Sequence, residues 1–231
     1  MDRLRPRLAG ALLASACVAF SLPATADEAV NLKVVAEKIV DDATQTLKNF
    51  SDDQKMTWFR DNVKSAKAVV VVPTLVKGGF VLGGSGGSGV VLVRDESTGA
   101  WRGPAFVTTG AISAGFQAGG TAAESVMMAM TDKGRDALLS NKFQIGTDVS
   151  IAAGPIGGGA AAATTDIVQF VRAIGLYGGF NVEGTVIAVR DSVNEAYYGV
   201  KTNPTDILIK GEPKNPHADA LVKQLTGTAT K

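Results

Sequence analysis

The residues whose types and spacing could do chemistry lie in one stretch, Gly83-Gly84-Ser85-Gly86-Gly87-Ser88-Gly89. Gly84 to Gly89 satisfies GxGxxG, which cradles a dinucleotide pyrophosphate when its last glycine opens a helix. Here Val90-Val91-Leu92-Val93 follows, and such a β-branched run reads as a strand. The kinase form GxGxxGxV, completed by Val91, does sit between strands. It also needs a VAIK-type lysine, HRD and DFG, none of which the chain contains. Gly83 to Gly87 satisfies GxSxG, in which Ser85 would be a nucleophile backed by a histidine base. The single histidine, His217, stands in a Pro-rich stretch near the end of the chain. No lysine stands where a P-loop would require it. The glycines therefore read as structural, supplying bulges, bends and close backbone approaches in a curved sheet. No catalytic residue, metal site or cofactor is expected, and a serine hydrolase using Ser85 or Ser88 is the least favoured reading.

The elements that must position this stretch follow from periodicity. Val69 to Val72 and Val90 to Val93 read as strands flanking the glycines. The turn Glu96-Ser97-Thr98-Gly99 returns the chain into Trp101 to Thr109, a hairpin partner for Val90 to Val93. Ahead of them, Leu32, Val35, Ile39, Ala43, Leu47 and Phe50 recur every three or four residues and predict an amphipathic helix over Asp27 to Phe50. Ser51-Asp52-Asp53-Gln54 has capping-box spacing and predicts a second helix to about Ser65. Further strands are expected over Ala111 to Gly120, Ser125 to Met130, Phe143 to Ala152 and Ile167 to Ala173, with a short helix at Thr131 to Leu139 and a turn at Gly154 to Gly159. Pro204 to Ile209 and Pro216 to Leu225 read as short helices with proline just inside their starts.

Met1 to Ala26 has the layout of a signal peptide: Arg3, Arg5 and Arg7, an apolar run Leu8 to Leu22, and Ala24-Thr25-Ala26 as the cleavage site. The rival reading is a lipoprotein anchored through Cys17, although alanine stands where a lipobox usually has leucine. Cleavage after Ala26 leaves residues 27–231 as one domain without cysteine, exported to a periplasmic or secreted location. The full chain carries 23 basic and 22 acidic residues. Loss of Asp2 and the three arginines leaves 20 and 21, a net charge of −1, so no global field draws the protein to nucleic acid or an anionic membrane. No later run is apolar enough, for long enough, to cross a bilayer as a helix.

One repeat is visible. Gly78-Gly79-Phe80 leads to Val91-Leu92-Val93-Arg94-Asp95, and Gly178-Gly179-Phe180 leads to Ile187-Ala188-Val189-Arg190-Asp191. Two such hairpins predict an α+β fold, an antiparallel barrel or sandwich flanked by the N-terminal helices and the short C-terminal ones.

Several of these segments together resemble the SYLF-domain family, found beside SH3 or FYVE modules in eukaryotes and alone in secreted bacterial proteins. The resemblance covers about Val34 to Leu225 and is carried first by Ala68 to Pro73, Lys77-Gly78-Gly79-Phe80, Gly83 to Gly89 and Pro104-Ala105-Phe106-Val107. Gly115 to Gly120, Ala153-Gly154-Pro155-Ile156-Gly157 and Asn194-Glu195-Ala196-Tyr197-Tyr198-Gly199 complete it. It implies a non-enzymatic module that binds phospholipid head groups at a membrane surface with help from an N-terminal amphipathic helix. The alternative it implies is a structural or protein-interaction domain akin to the family's actin-filament role. With a net charge of −1, membrane attraction needs a local cluster. Lys64, Lys67 and Lys77, with Lys33 and Lys38 from the first helix and Trp58 as interfacial anchor, form the candidate lipid-binding set.

Overall fold

The computed structural model describes residues 26–79, 82–114, 119–155, 165–173 and 184–229. A helix α1 (Ala26–Asp52) leads through a 3-10 turn (Gln54–Met56) into a short α2 (Thr57–Asn62) and a second 3-10 turn (Val63–Ser65). Four long strands follow: β1 (Ala68–Gly79), β2 (Leu82–Arg94), β3 (Trp101–Ala114) and β4 (Gly119–Ala129). Then come α3 (Asp132–Leu139), β5 (Lys142–Gln144), β6 (Ile151–Ala153), β7 (Ile167–Ala173), β8 (Val186–Val189) and α4 (Asp191–Tyr198). A π-helical turn (Asp206–Lys210), a 3-10 turn (Pro216–Ala218) and α5 (Asp219–Ala229) close the chain.

The strands form one eight-stranded sheet in the order β5-β8-β3-β2-β1-β4-β7-β6, curled into a half-barrel and antiparallel except where β6 meets β7. Both faces of its middle are covered, which is why the valine runs are continuously apolar. Val69, Val71, Val90, Leu92, Phe106, Val126 and Met128 point to the layer made by α1, α2, α4 and α5. Val70, Val72, Val91, Val93, Val107 and Met127 point to a second core closed by Leu138, Ile145, Ile207 and Leu208.

Pro73 lies inside β1, a strand paired on both sides. It is accommodated by a bulge: the register slips between Val71 and Thr74 against β2, and between Val72 and Leu75 against β4. Proline has no N–H to give to a ladder, so a bulge is where an interior strand can hold it.

The helix α1 crosses the sheet on Ala36, Val40, Ala43, Leu47 and Phe50, all fully buried, with Leu32 and Ile39 half-buried beside them. The predicted stripe is thus displaced at its N-terminal end, where Val35 is 39 % exposed. The capping box also takes another form. Asp53 caps the following turn by accepting the Lys55 backbone N–H at 2.9 Å, while Ser51 donates to Leu47 O at 2.7 Å and meets Thr228 at 2.6 Å.

Other expectations change for local reasons. The strand predicted over Phe143 to Ala152 is two strands, because Gly146 takes φ +90° and Asp148 accepts the Gln144 N–H at 2.7 Å, turning the chain between them. Ala111 to Ala114 extends β3, and Gly119 with Gly120 opens β4, so the strand predicted over Ala111 to Gly120 is the ends of two. Arg94-Asp95 ends a strand at a hairpin turn, whereas Arg190-Asp191 opens α4, which closes at Gly199 with φ +72°. Gly178-Gly179-Phe180, the other end of that repeat, lies outside the described residues, as does most of the turn predicted at Gly154 to Gly159.

Candidate interaction surface

The six residues of the predicted lipid-binding set are spread over the molecule. Lys33 and Lys38 are exposed on α1 and each faces a carboxylate one turn on, Glu37 at 4.0 Å and Asp42 at 2.8 Å. Trp58, on α2, is half-buried with its ring 5.8 Å from that of Phe170, as part of the helix-side core. Lys64 is exposed in the second 3-10 turn. Lys67 lies 2.9 Å from both Glu96 and Asp132, tying the start of β1 to the β2–β3 turn and to α3. The bond from Asp132, then that from Glu96, holds its ammonium above the ordinary lysine value.

Lys77 is half-buried ten residues further along β1. At roughly 3.3 Å per residue this places it about 33 Å from Lys67, several times the Debye length of about 8 Å at physiological salt. The structure therefore brings Lys64 and Lys67 to one end of the sheet and leaves Lys77 at the other.

What the fold does assemble is an open face of small residues. Side chains alternate along a strand, so residues in register with Val90 share the face that carries α1. Beyond the bulge, Thr74, Val76 and Gly78 of β1 occupy that face beside Ser88, Gly86 and Gly84 of β2. Thr108 and Gly110 of β3 and Ala122 of β4 extend it on either side. None of these nine residues is larger than valine, and Val76 is 52 % exposed.

The flank of α1 borders this floor. Thr46 and Asn49 donate to Glu124 of β4 at 3.1 and 2.8 Å, which fixes that flank towards the far half of the sheet. Arg172 of β7 backs the same carboxylate at 2.7 Å. Val35 and Ile39 lie three turns and two turns before Thr46 on the same helical row, so they stand along the floor's edge. Val30 and Val34, 64 % and 60 % exposed, project from the outer side of the same helix. Sequence reasoning passed over all three outward valines, since it assigned Val35 to the core and did not weigh the i, i+4 pair Val30 and Val34. That pair, lying off the buried stripe, was the signal that could have found them.

The histidine that the GxSxG reading requires is not beside either serine. Ser88 Oγ lies 3.0 Å from Arg190 Nη1, a donor that cannot take a proton. His217 is held elsewhere, 3.3 Å from Glu37 O and 3.2 Å from Asp41 on α1. Among the described residues no group of three His, Cys, Asp or Glu could hold a metal ion, and no helix is long and apolar enough to cross a membrane.

The family described as "Ysc84: Las17-binding protein actin regulator" matches residues 110–228, from mid-β3 through α5. LAS seventeen-binding protein 3 of Saccharomyces cerevisiae is 31 % identical over 180 residues, covering 73 % of this chain and 38 % of that protein. Protein YSC84 of the same yeast is 30 % identical over 175 residues, covering 72 % and 37 %. The human SH3 domain-containing YSC84-like protein 1 is 24 % identical over 175 residues, covering 73 % and 51 %. The chain thus spans between about a third and a half of the length of these relatives. No solved structure matches it significantly. The family match includes Gly110 and Ala122 of the open floor, the whole of α4 and nearly all of α5, and with the yeast relative's agreement over nearly three quarters of its length the chain belongs to the Ysc84, or SYLF-domain, family.

Proposed function

We propose that this chain is a non-catalytic interaction module that docks a protein partner of the actin-assembly class on the open floor beside α1. The single observation that carries this reading is the floor itself, a wide face of glycine, serine, threonine, alanine and one exposed valine, whose bordering charges are already engaged, Glu124 by Arg172 and Arg190 by Ser88. Such a face suits a broad macromolecular surface better than a small ligand, which needs concavity. The yeast relatives, described as Las17-binding, give the partner class. Cosedimentation of the exported chain with filamentous actin tests it. Val76→Glu should weaken binding by about tenfold with an unchanged melting temperature, since an exposed substitution costs little stability, within about 0.5 kcal/mol. Equal binding by Val76→Glu, or none by the wild type, overturns the assignment.

A second reading, docking on a phospholipid surface, is favoured by a different observation: Val30 and Val34 are bare on α1 with Lys33 and Lys38 on the same helix. Vesicles containing phosphatidylglycerol separate the two. Val30→Asp with Val34→Asp should abolish vesicle binding and leave filament binding unchanged if both readings hold. Indifference of vesicle binding to this pair removes the lipid reading.

A further inference from the structure

At the other end of the sheet from the open floor's free end, the start of β3 and the C-terminal turns line an open cavity of about 580 Å³. Small-molecule sites run from roughly 300 to 1,000 Å³, so this volume is of the right order. Its wall is mixed. Trp101, Ile207, Pro216 and Val222 supply apolar surface, while Arg102, Lys210 and Lys214 supply three cations against one carboxylate, Asp219.

The cations are held differently. Arg102 is pinned by Asp95 and by the carbonyl of Ile209, which keeps its guanidinium in place. Asp95 is itself fixed by Ser97 and Thr98 and stays ionised far below the usual carboxylate range, chiefly through the Ser97 hydroxyl. Lys210 is paired with Asp206 at 2.6 Å. Lys214 is exposed and has no carboxylate partner among the described residues. Trp101 is only 6 % exposed and contributes its ring to the wall. A positioned guanidinium and an unpaired ammonium, set around an apolar wall that includes the Trp101 ring, are complementary to an anionic group carried on a compact apolar body.

We propose that this cavity is a binding site for an organic anion of that kind, a phosphate monoester or carboxylate bearing a ring or short aliphatic group. It is separate from the floor and does not depend on the docking reading.

The test uses the chain in a Trp58→Phe background, so that the remaining tryptophan, Trp101, reports on the cavity by fluorescence. Phenyl phosphate is the probe, with benzyl alcohol as its neutral counterpart. Phenyl phosphate should shift the Trp101 emission saturably, and benzyl alcohol should not. Lys214→Glu should weaken phenyl phosphate by about tenfold and Lys214→Arg should hold it within about twofold, as expected where charge sets the affinity. No saturable shift, equal affinity in Lys214→Glu, or equal affinity for benzyl alcohol overturns the proposal. Displacement of bound phenyl phosphate by vesicles of phosphatidic acid would assign the natural ligand to a lipid, and retention would assign it to a soluble ester; either result keeps the anion site.

Discussion

Gly87 and Gly89 sit opposite the bulge at Pro73, where β1 comes closest to β2. A Cβ on Gly87 would press into the carbonyl of Thr74 and lie 2.9 Å from Val72 Cγ1, and one on Gly89 would meet the carbonyl of Val71 and lie 3.0 Å from Val72 Cγ2. Gly78 has open space at the same point. Gly87→Ala and Gly89→Ala should therefore each destabilise the fold by about 1–3 kcal/mol, the usual penalty of overpacking, while Gly78→Ala should melt close to the wild type. Calorimetric melting of the three variants checks this, and equal melting would remove the close approach as the reason for the glycines. Asp166 is a second residue whose role is specific. It accepts from the Ser150 N–H at 2.9 Å and hydroxyl at 2.8 Å and from Thr131 at 2.7 Å, joining α3 and the β6 start to β7. The Ser150 backbone N–H, then the two hydroxyls and Lys133, hold its carboxyl at about 2 against the opposing effect of partial burial. A carboxyl lowered on folding adds stability above its unfolded value, near 4, and loses it as pH falls through about 2. Urea midpoints should fall between pH 4 and pH 2, and less steeply in Asp166→Asn.

At the scale of elements, α1 is both cover and edge. Its buried row, Ala36, Val40, Ala43, Leu47 and Phe50, closes one face of the sheet, while its flank borders the floor and its outer side leaves Val30 and Val34 in solvent. The existence and extent of this helix were legible from periodicity alone, and so was the hairpin of β2 and β3. The helix α4 was not. Asp191 to Tyr198 follows a strand ending in Arg-Asp, as an earlier hairpin does, and its helical face becomes visible only when Val193, Asn194 and Tyr197 are seen buried together. Asn194 makes the difference physical: its side chain accepts the Phe106 N–H at 2.9 Å, docking α4 onto β3 from 88 residues away. No window of a dozen residues contains that information.

At the scale of the whole molecule, the sheet divides into a half covered on both faces and a half that keeps one face open. The candidate lysines show what this does to a charge pattern. Lys67, chosen for attraction to a membrane, is engaged by Glu96 from 29 residues away and by Asp132, so its change to glutamate would break a contact of the fold. Export remains a proposal at this scale, resting on the apolar run Leu8 to Leu22 and on Ala24-Thr25-Ala26. Mass spectrometry of the exported protein should find Asp27 at its N-terminus without an acyl chain, and a lipid on Cys17 would overturn that. By itself the sequence determined what depends on near neighbours: the strands from β-branched runs, the helices from their three-and-four spacing, the reading of the glycines as sheet, and the family from motifs along the chain. The tertiary structure alone decided which glycines a bulge makes indispensable, which lysines are spent on ion pairs and which valines stay outside. Each of those depends on what another strand or helix, distant in the chain, brings within a few ångströms, and packing and charge pairing act over that distance and not over sequence separation.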